Sequence, residues 1–317
     1  MIVSIVVPVR REARAIERFL DSLAAQDLAG LEWEVIVADG MSDDGTREIL
    51  ARRPGLKVID NPGLTVSRGL NAAIRAARGD IILRMDAHSE YAPDYVRQCL
   101  ALLEETGADN VGGPALTRAS SWIQRAIAAA YHSPLASGGA KFHNPAYEGP
   151  ADTVPYGCWR RATLERLGLF DESLARNQDD ELNLRLRLTG GRIWQSPRIR
   201  SWYWPRATLR ALFRQYFEYG YWKVAVMRKH RRPPSWRSLA PAAFLLLAVA
   251  SVFIHPLLWL LALYPAASLI ASVQAAHRHG WSLFPALPAV FATYHVAYGF
   301  GFLCGVLSVF IRVHLWL

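Results

Sequence analysis

The chain has 317 residues and a formal charge of +9, with 36 Lys+Arg against 27 Asp+Glu, enough length for one large domain or two modest ones with ample core. The excess is local: residues 206–237 hold nine Lys+Arg and one acid, Glu218, residues 1–205 are close to neutral, and beyond residue 238 the only formal charges are Arg278 and Arg312. A basic cluster beside an apolar tail fits anionic lipid headgroups and argues against nucleic acid, and three widely spaced cysteines, Cys99, Cys158 and Cys304, exclude a paired disulfide framework and a cysteine metal site.

In chain order, residues 2–7 predict a buried β-branched strand closed by Pro8. This apolar opening is too short for a secretory core and has no basic leader, so the N-terminal part is expected in the cytosol. Ile16, Phe19, Leu20 and Leu23 follow the spacing of one helix face. Residues 34–38 predict a second strand ending at Asp39-Gly40, and 42–50 a loop with a short helix. Residues 56–59 predict a third strand, 67–77 a small-residue helix and 81–85 a fourth strand. This alternation implies right-handed crossovers and a mostly parallel sheet. Further on, 122–131, 162–167 and 180–188 read as helices, 133–147 as a long loop, and 193–196 as a last short strand.

From residue 238 the chain reads as a membrane region. Apolar runs cover 239–254, 257–273 and 283–311, against about 20 residues needed for a span. Three spans are expected, with two or a re-entrant pair as alternatives, because Pro241, Pro256 and Pro265 interrupt the first two. Arg231, Arg232, Arg237 and Arg278 then fall on the cytoplasmic side and the C-terminus outside. Between the strand–helix part and the spans, Arg210, Phe213, Arg214, Phe217, Tyr221 and Val224 mark an amphipathic helix lying at the interface. The expected division is 1–205, 206–237 and 238–317.

Three acidic features carry chemistry. Asp39 and Asp86 follow predicted strands of a parallel sheet, which puts both on the edge where such sheets bind ligands. An acid after a strand is also a common turn former or cap. Asp86-Ala87-His88 offers a carboxylate and an imidazole for Mn²⁺ or Mg²⁺ with phosphate oxygens. Gln178-Asp179-Asp180-Glu181 opens a helix, where a charged cap is the plain reading and a general base the functional one. On the basic helix, Arg214 or Lys223 suits a lipid diphosphate.

These features together resemble glycosyltransferase family 2. The resemblance rests on VSIVVPVRRE (3–12), VADGMSDDGT (37–46), SRGLNAAIRAARGDIILRMDAH (67–88) and NQDDELNLRL (177–186). YWPR (203–206), RQYF (214–217) and Tyr219-Gly220, with the apolar tail, are similar to the succinoglycan-type membrane glucosyltransferases of exopolysaccharide synthesis. The resemblance implies an α/β catalytic domain of the GT-A, Rossmann-like type. It implies that Pro8, Val9, Arg10 and Glu12 line the base and ribose, that Asp39 binds the base, and that Arg68 lies near base or phosphates. Asp86 and His88 take the D-x-D position. Asp179 takes the base position, with Asp180 beside it as the alternative. Gly157, Cys158 and Trp159 fall on the acceptor side, and Arg214 and Gln215 near donor phosphate or acceptor. Arg10 stands where the family has an aromatic, His88 where it has a second acid, and Gln178 where it has an acid before the base.

The implied reaction is inverting transfer of a hexose, glucose by resemblance, from a UDP-sugar to a polyprenyl-diphosphate-linked acceptor, with a divalent ion, at the bacterial inner membrane by a multi-pass protein whose catalytic domain is cytoplasmic. A polyprenyl-phosphate sugar synthase, a processive polysaccharide synthase and a non-catalytic sugar-nucleotide-binding membrane protein are the rival readings.

Overall fold

The β-branched run that opens the chain forms β1 (Ile2–Val9), with consecutive side chains Val3 to Val7 buried, as in a strand covered on both faces. Then follow α1 (Ile16–Ala24), β2 (Glu32–Asp39), α2 (Thr46–Ala51), β3 (Leu56–Asp60), α3 (Val66–Ala76), β4 (Ile81–Arg84), β5 (Ser89–Tyr91), α4 (Tyr95–Thr106), β6 (Asn110–Gly112) and β7 (Ala115–Thr117). Next come α5 (Trp122–Tyr131), the one-turn α6 (Pro134–Ser137), β8 (Gly149–Pro150), β9 (Cys158–Arg160), α7 (Arg161–Leu167), α8 (Gln178–Leu188), β10 (Ile193–Gln195) and β11 (Ser201–Tyr203). Four helices follow among the described residues: α9 (Leu209–His230), α10 (Ala240–Ala250), α11 (Leu257–His279) and α12 (Leu287–Ile311). The computed structural model describes residues 1–311, so Arg312 and the C-terminal end, expected beyond the membrane, lie outside the described residues.

The chain forms two compact units. The first joins Met1–Leu116 to Asn144–Trp204, and the second joins Thr117–His143 to the chain from Pro205 onward. Residues 117–143 therefore leave the unit in which a continuous 1–205 domain places them. Their helix α5 explains why: its buried face of Ala126, Ile127, Ala129 and Ala130 packs with Ala271, Leu287 and Phe291 of the second unit.

The first unit is built on an eight-stranded sheet in the order β3-β2-β1-β4-β9-β6-β10-β8. Its first four strands are parallel, as the strand–helix alternation implies. The other half is mixed, because β9 runs antiparallel to both β4 and β6, and β8 antiparallel to β10. The mostly parallel sheet read from the sequence thus holds, β6 and β10 running with the first four strands and only β9 and β8 against them. A strand buried on both faces is apolar whichever way it runs, so Cys158-Trp159 carries no sign of direction. The parallel half fixes the chemistry. Val9 pairs with Asp39, and Val6 pairs with Arg84, so the chain leaves β1, β2 and β4 at one edge.

In the second unit α9 runs against α12 at backbone contact. A Cβ added to Gly220 would sit 2.0 Å from the Tyr298 carbonyl oxygen, and one on Gly301 2.0 Å from that of Phe217. Only hydrogen fits at those two positions, as in small-residue helix pairs of membranes. One face of α9 is thus occupied by a helix. α11 and α12 are long and apolar enough to cross a membrane, and the shorter apolar stretch Trp236–Ala250 includes α10. Polar groups on these helices are satisfied internally: Tyr264 Oη lies 2.8 Å from His295 Nδ1, and His295 Nε2 lies 2.9 Å from the Leu135 carbonyl.

Candidate active site

Each acid in the site has its own supporting structure. Asp39 ends β2 and is fully buried. Its Oδ2 accepts from the Ser42 backbone N–H at 3.0 Å and lies 3.4 Å from Arg47 Nε, while Oδ1 has no partner. A buried acceptor without a donor is costly, so this atom is suited to a ligand N–H. Arg47 also pairs with Asp60 and so bridges α2 and β3.

The loop after β1 is latched to the loop after β2. Arg11, at φ 54, pairs with Asp43, its N–H donates to Ser42 Oγ at 2.8 Å, and the Glu12 N–H donates to Thr46 Oγ1 at 2.9 Å. The Arg10 stem lies over Gly40, where an added Cβ would come within 3.1 Å of it. Pro8 is half-buried and Val9 is in the core, its carbonyl accepting from the Gly40 N–H at 2.7 Å. Val9 therefore meets the site edge only through backbone. Arg68, on the first turn of α3 behind the Thr65 cap, packs over Gly63 and lies 3.9 Å from Glu172.

Asp86 lies two residues beyond β4 and is gripped by Arg84, whose Nε and Nη2 donate to its two oxygens at 2.7 and 2.8 Å. Burial alone would raise the Asp86 carboxyl. The Arg84 guanidinium outweighs it and holds the group below the ordinary carboxylate range. Arg84 is likewise buried, which disfavours its charge, yet the charges of Asp86 and then Asp179 keep it raised. Asp179 is thereby placed in the same electrostatic neighbourhood as Asp86. His88 Nδ1 lies 3.5 Å from Glu12 Oε1, so the expected Asp86–His88 metal pair is divided between two other partners. Among the described residues no group of three His, Cys, Asp or Glu could hold a metal ion. The residues present therefore do not fit a cation held by protein ligands alone.

The acids of 179–181 separate in role. Glu181 is fully buried and pairs with Arg185 at 2.7 Å, and Arg185 also binds the Leu169 carbonyl at 2.8 Å. Glu181 and Arg185 thus tie α8 to the end of α7. Asp179 Oδ1 accepts from the Asp180 N–H at 2.9 Å at the helix start, where the dipole favours anions. Asn177 adopts φ 61 to turn the chain into α8.

The expected acceptor residues are placed less favourably. Cys158 is 0 % and Trp159 1 % exposed, each inside a hydrophobic cluster. An acceptor arriving from solvent meets neither side chain, which corrects that expectation. Gly157, at φ 96, has to be glycine, since a Cβ would fall 2.3 Å from the Trp159 ring. Tyr156, whose Oη is 2.7 Å from Ser89 Oγ, is the half-buried neighbour. Arg214 and Gln215 belong to the second unit, on α9, where Arg214 pairs with Glu218 at 3.2 Å and Gln215 donates to Tyr219 Oη at 3.0 Å.

Sequence reasoning missed Arg84. The signal was a cation at the end of the otherwise apolar strand IILR, two residues before Asp86. Positions i and i+2 of an extended chain share a side.

The profile of Glycosyl transferase family 2 matches residues 4–161. The succinoglycan biosynthesis protein ExoA of Rhizobium meliloti (strain 1021) is 37 % identical over 245 residues, 75 % of this chain and 74 % of the relative. The dolichyl N-acetyl-alpha-D-glucosaminyl phosphate 3-beta-D-2,3-diacetamido-2,3-dideoxy-beta-D-glucuronosyltransferase of Methanococcus voltae is 26 % identical and spans 96 % of this chain and 97 % of its own length. Among solved structures, the mannosyltransferase PcManGT of Pyrobaculum calidifontis, in complex with GDP-Man and Mn²⁺, superposes with a TM-score of 0.60 at 21 % identity over 98 % of this chain and 88 % of its own. TarS of S. aureus (residues 1–349) does so at 0.55 and 16 % over 100 % and 93 %. At these identities the structural likeness concerns the fold, which is GT-A.

Proposed function

The chain belongs to glycosyltransferase family 2, and from that premise we propose that it transfers a hexose from a UDP-sugar to a polyprenyl-diphosphate-linked acceptor at the cytoplasmic face of a membrane, with inversion. The observation that carries the reading is one buried guanidinium, Arg84, gripped by Asp86 and within reach of the charge of Asp179, at the sheet edge where Asp39 also ends its strand. Asp39 Oδ1 accepts the N–H of the base. Arg10, Glu12 and Arg68 border the nucleotide. Asp179 takes the proton of the acceptor hydroxyl, whose oxygen bonds to the anomeric carbon as the bond to the diphosphate breaks on the opposite face. Asp179 is preferred to Asp180 because the register of Glu181 and Arg185 in the family motif gives it the base position.

A divalent cation accompanies many such diphosphates, and PcManGT was solved with Mn²⁺. With Asp86 engaged by Arg84, no step is assigned to a metal here. A cation arriving with the donor would meet His88 and Glu12. The acceptor reading draws on the lipid-linked sugar in the name of the M. voltae relative and on two helices long enough to span a bilayer. The basic aromatic helix α9 supplies Arg214 and Gln215 for the acceptor headgroup, and α10 is the third, short apolar element of a multi-pass anchor.

The test is a donor panel, including UDP-glucose, incubated with the full chain in membranes and a native lipid extract. A lipid product longer by one sugar supports the reading. Sugar joined directly to polyprenyl phosphate, or a long polymer, moves the chain to the rival transferase classes. Donor binding without hydrolysis or transfer makes it a non-catalytic binder.

A further inference from the structure

At one edge of the large sheet, Arg11, Met41, Leu64 and Tyr156 adopt left-handed backbone, at φ 54, 55, 62 and 59. The first three follow the parallel strands β1, β2 and β3. Tyr156 joins them because β9 runs antiparallel to β4, with Leu83 beside Cys158, so the residues before β9 pass the end where β4 stops. The Arg84 N–H, donating to the Gly157 carbonyl at 3.1 Å, fixes that placement. Left-handed backbone costs free energy for any residue with a Cβ, and most for a bulky one. Such strain gathers where ligands are handled. Asn177 meets its own left-handed turn with a residue type that tolerates it, whereas position 156 carries tyrosine.

The Tyr156 ring is tied to the segment that carries Asp86. Its Oη lies 2.7 Å from Ser89 Oγ, and its ring centre 5.6 Å from that of Tyr91. In turn the Ser89 N–H donates to the Asp86 carbonyl at 3.1 Å, and Tyr91 Oη accepts the Asp86 N–H at 2.6 Å. Core packing alone places a tyrosine fully inside, as it does Tyr91 and Tyr95, 3 % and 1 % exposed. Tyr156 is half-buried, so part of its held ring reaches the surface of the site edge. Sheet order decides which substrate it meets. From β2 the order runs β1, β4, β9, so Tyr156 lies three strand spacings, about 14 Å, from the strand that Asp39 ends. With the base at Asp39 and the diphosphate toward Asp86, the far side of β4 is left to the attacking sugar.

We propose that Tyr156 is the aromatic platform for the acceptor's terminal sugar, its ring stacking against the C–H face of a pyranose. Tyrosine combines a rigid apolar face with a polar tip, and a pyranose offers the matching pair, C–H groups on a face and hydroxyls around the rim. The inference rests on the transfer reaction proposed above. It moves the acceptor contact from the sealed Cys158 and Trp159 to the half-buried residue that precedes Gly157.

The experiment uses the full chain in lipid nanodiscs, with Tyr156→Leu, which keeps apolar bulk without a ring, and Tyr156→Phe, which keeps the ring without the Ser89 bond. UDP-glucose and methyl β-glucopyranoside are the probes, added together and read by saturation transfer from the protein's aromatic protons to each sugar. A native lipid extract serves as acceptor for transfer. The wild type is expected to pass saturation to the methyl glucoside, and Tyr156→Phe to keep that signal. Tyr156→Leu should lose it while the glucose of UDP-glucose keeps its own. The apparent KM for the extract should rise roughly threefold to tenfold in Tyr156→Leu and stay within about twofold in Tyr156→Phe. An unchanged KM and glucoside signal in Tyr156→Leu overturn the proposal. So does a loss confined to UDP-glucose, which gives the ring to the donor. If Tyr156→Leu does not fold, a wild type whose methyl glucoside receives no saturation overturns it just as well. A glucoside signal that depends on Tyr156, in a wild type that transfers no sugar from any donor, upholds the platform and removes the proposed reaction instead.

Discussion

In the first unit two ion pairs lie inside and most large apolar side chains are covered. Arg84 with Asp86 and Arg185 with Glu181 are paired below the surface, and Phe19, Ile36, Leu70 and Trp159 are sealed in two clusters. In the second unit the large apolar side chains of α10–α12 face outward, Phe253 79 %, Trp259 81 % and Phe310 79 % exposed, while Ser, Tyr and His bond one another or backbone carbonyls. Exposed apolar area of that extent marks a surface meant for something other than water. The internal pairing of polar groups is what a hydrocarbon surrounding demands. One chain therefore carries two solvation rules. The first unit buries charge where a charged ligand is to be handled, and the second hides polarity because its surroundings offer none.

The largest expected effect tests whether the buried charges of the first unit serve chemistry. Asp179→Asn should lower transfer by at least the ~10²–10⁴-fold of a lost general base while UDP-glucose binding stays within a few-fold by calorimetry. Asp180→Asn should leave most of the rate. The reverse ranking in purified protein moves the base to Asp180 and detaches the reaction from Arg84.

What could be read beforehand divides along the same line. The parallel half of the sheet was legible because β-branched runs and small-residue helices alternate from Ile2 to Arg84. Asp39 and Asp86 were legible because the carboxyl end of such a strand is a place, whatever the ligand. The direction of β9 was not, since Cys158-Trp159 is apolar for either orientation. The grip of Arg84 on Asp86 was hidden because sequence lists a strand's residues without saying that i and i+2 side chains close on each other. Cys158 and Trp159 were misplaced by carrying a motif position outward when their own character points inward. The membership of α5 in the second unit was hidden by its distance in sequence from Ala271 and Phe291.

The next effect concerns the second unit alone. Gly220→Leu puts a side chain where the Tyr298 carbonyl already stands. The α9–α12 pair must separate, and overpacking of this kind costs about 1–3 kcal/mol or more. A clear fall in detergent melting temperature is expected, and an unchanged melt would mean that the two helices are not in backbone contact.

Acid should distinguish the units again. His143, buried with its Nδ1 2.8 Å from the Tyr131 carbonyl, is pushed down to about 3 by burial. Below its ordinary 6.5 the unfolded chain takes up a proton that the folded imidazole refuses. Stability then falls as pH drops from 6.5 toward 3, by up to about 1.4 kcal/mol per pH unit for one such group. Asp86, held below its usual 3.8, contributes stability above that value and loses it only at still lower pH. Denaturant titrations at pH 7 and pH 5 should show a drop that His143→Gln reduces. Equal slopes in both proteins would remove His143 as the cause.

The smallest expected effect on stability is the most informative about the acceptor. Arg214 is 74 % exposed and its ion pair is with Glu218, one helical turn away on α9. Such surface pairs contribute about 0.3–0.5 kcal/mol and weaken with salt. Arg214→Ala should therefore leave the melting temperature almost unmoved. If α9 supplies the headgroup contacts, the same change should raise KM for a lipid-diphosphate acceptor severalfold, with UDP-glucose binding unaltered, because a charge-assisted bond to phosphate is worth more than an exposed pair. An unchanged KM would reduce α9 to a helix that packs on α12 and leave the acceptor site to be sought within the first unit.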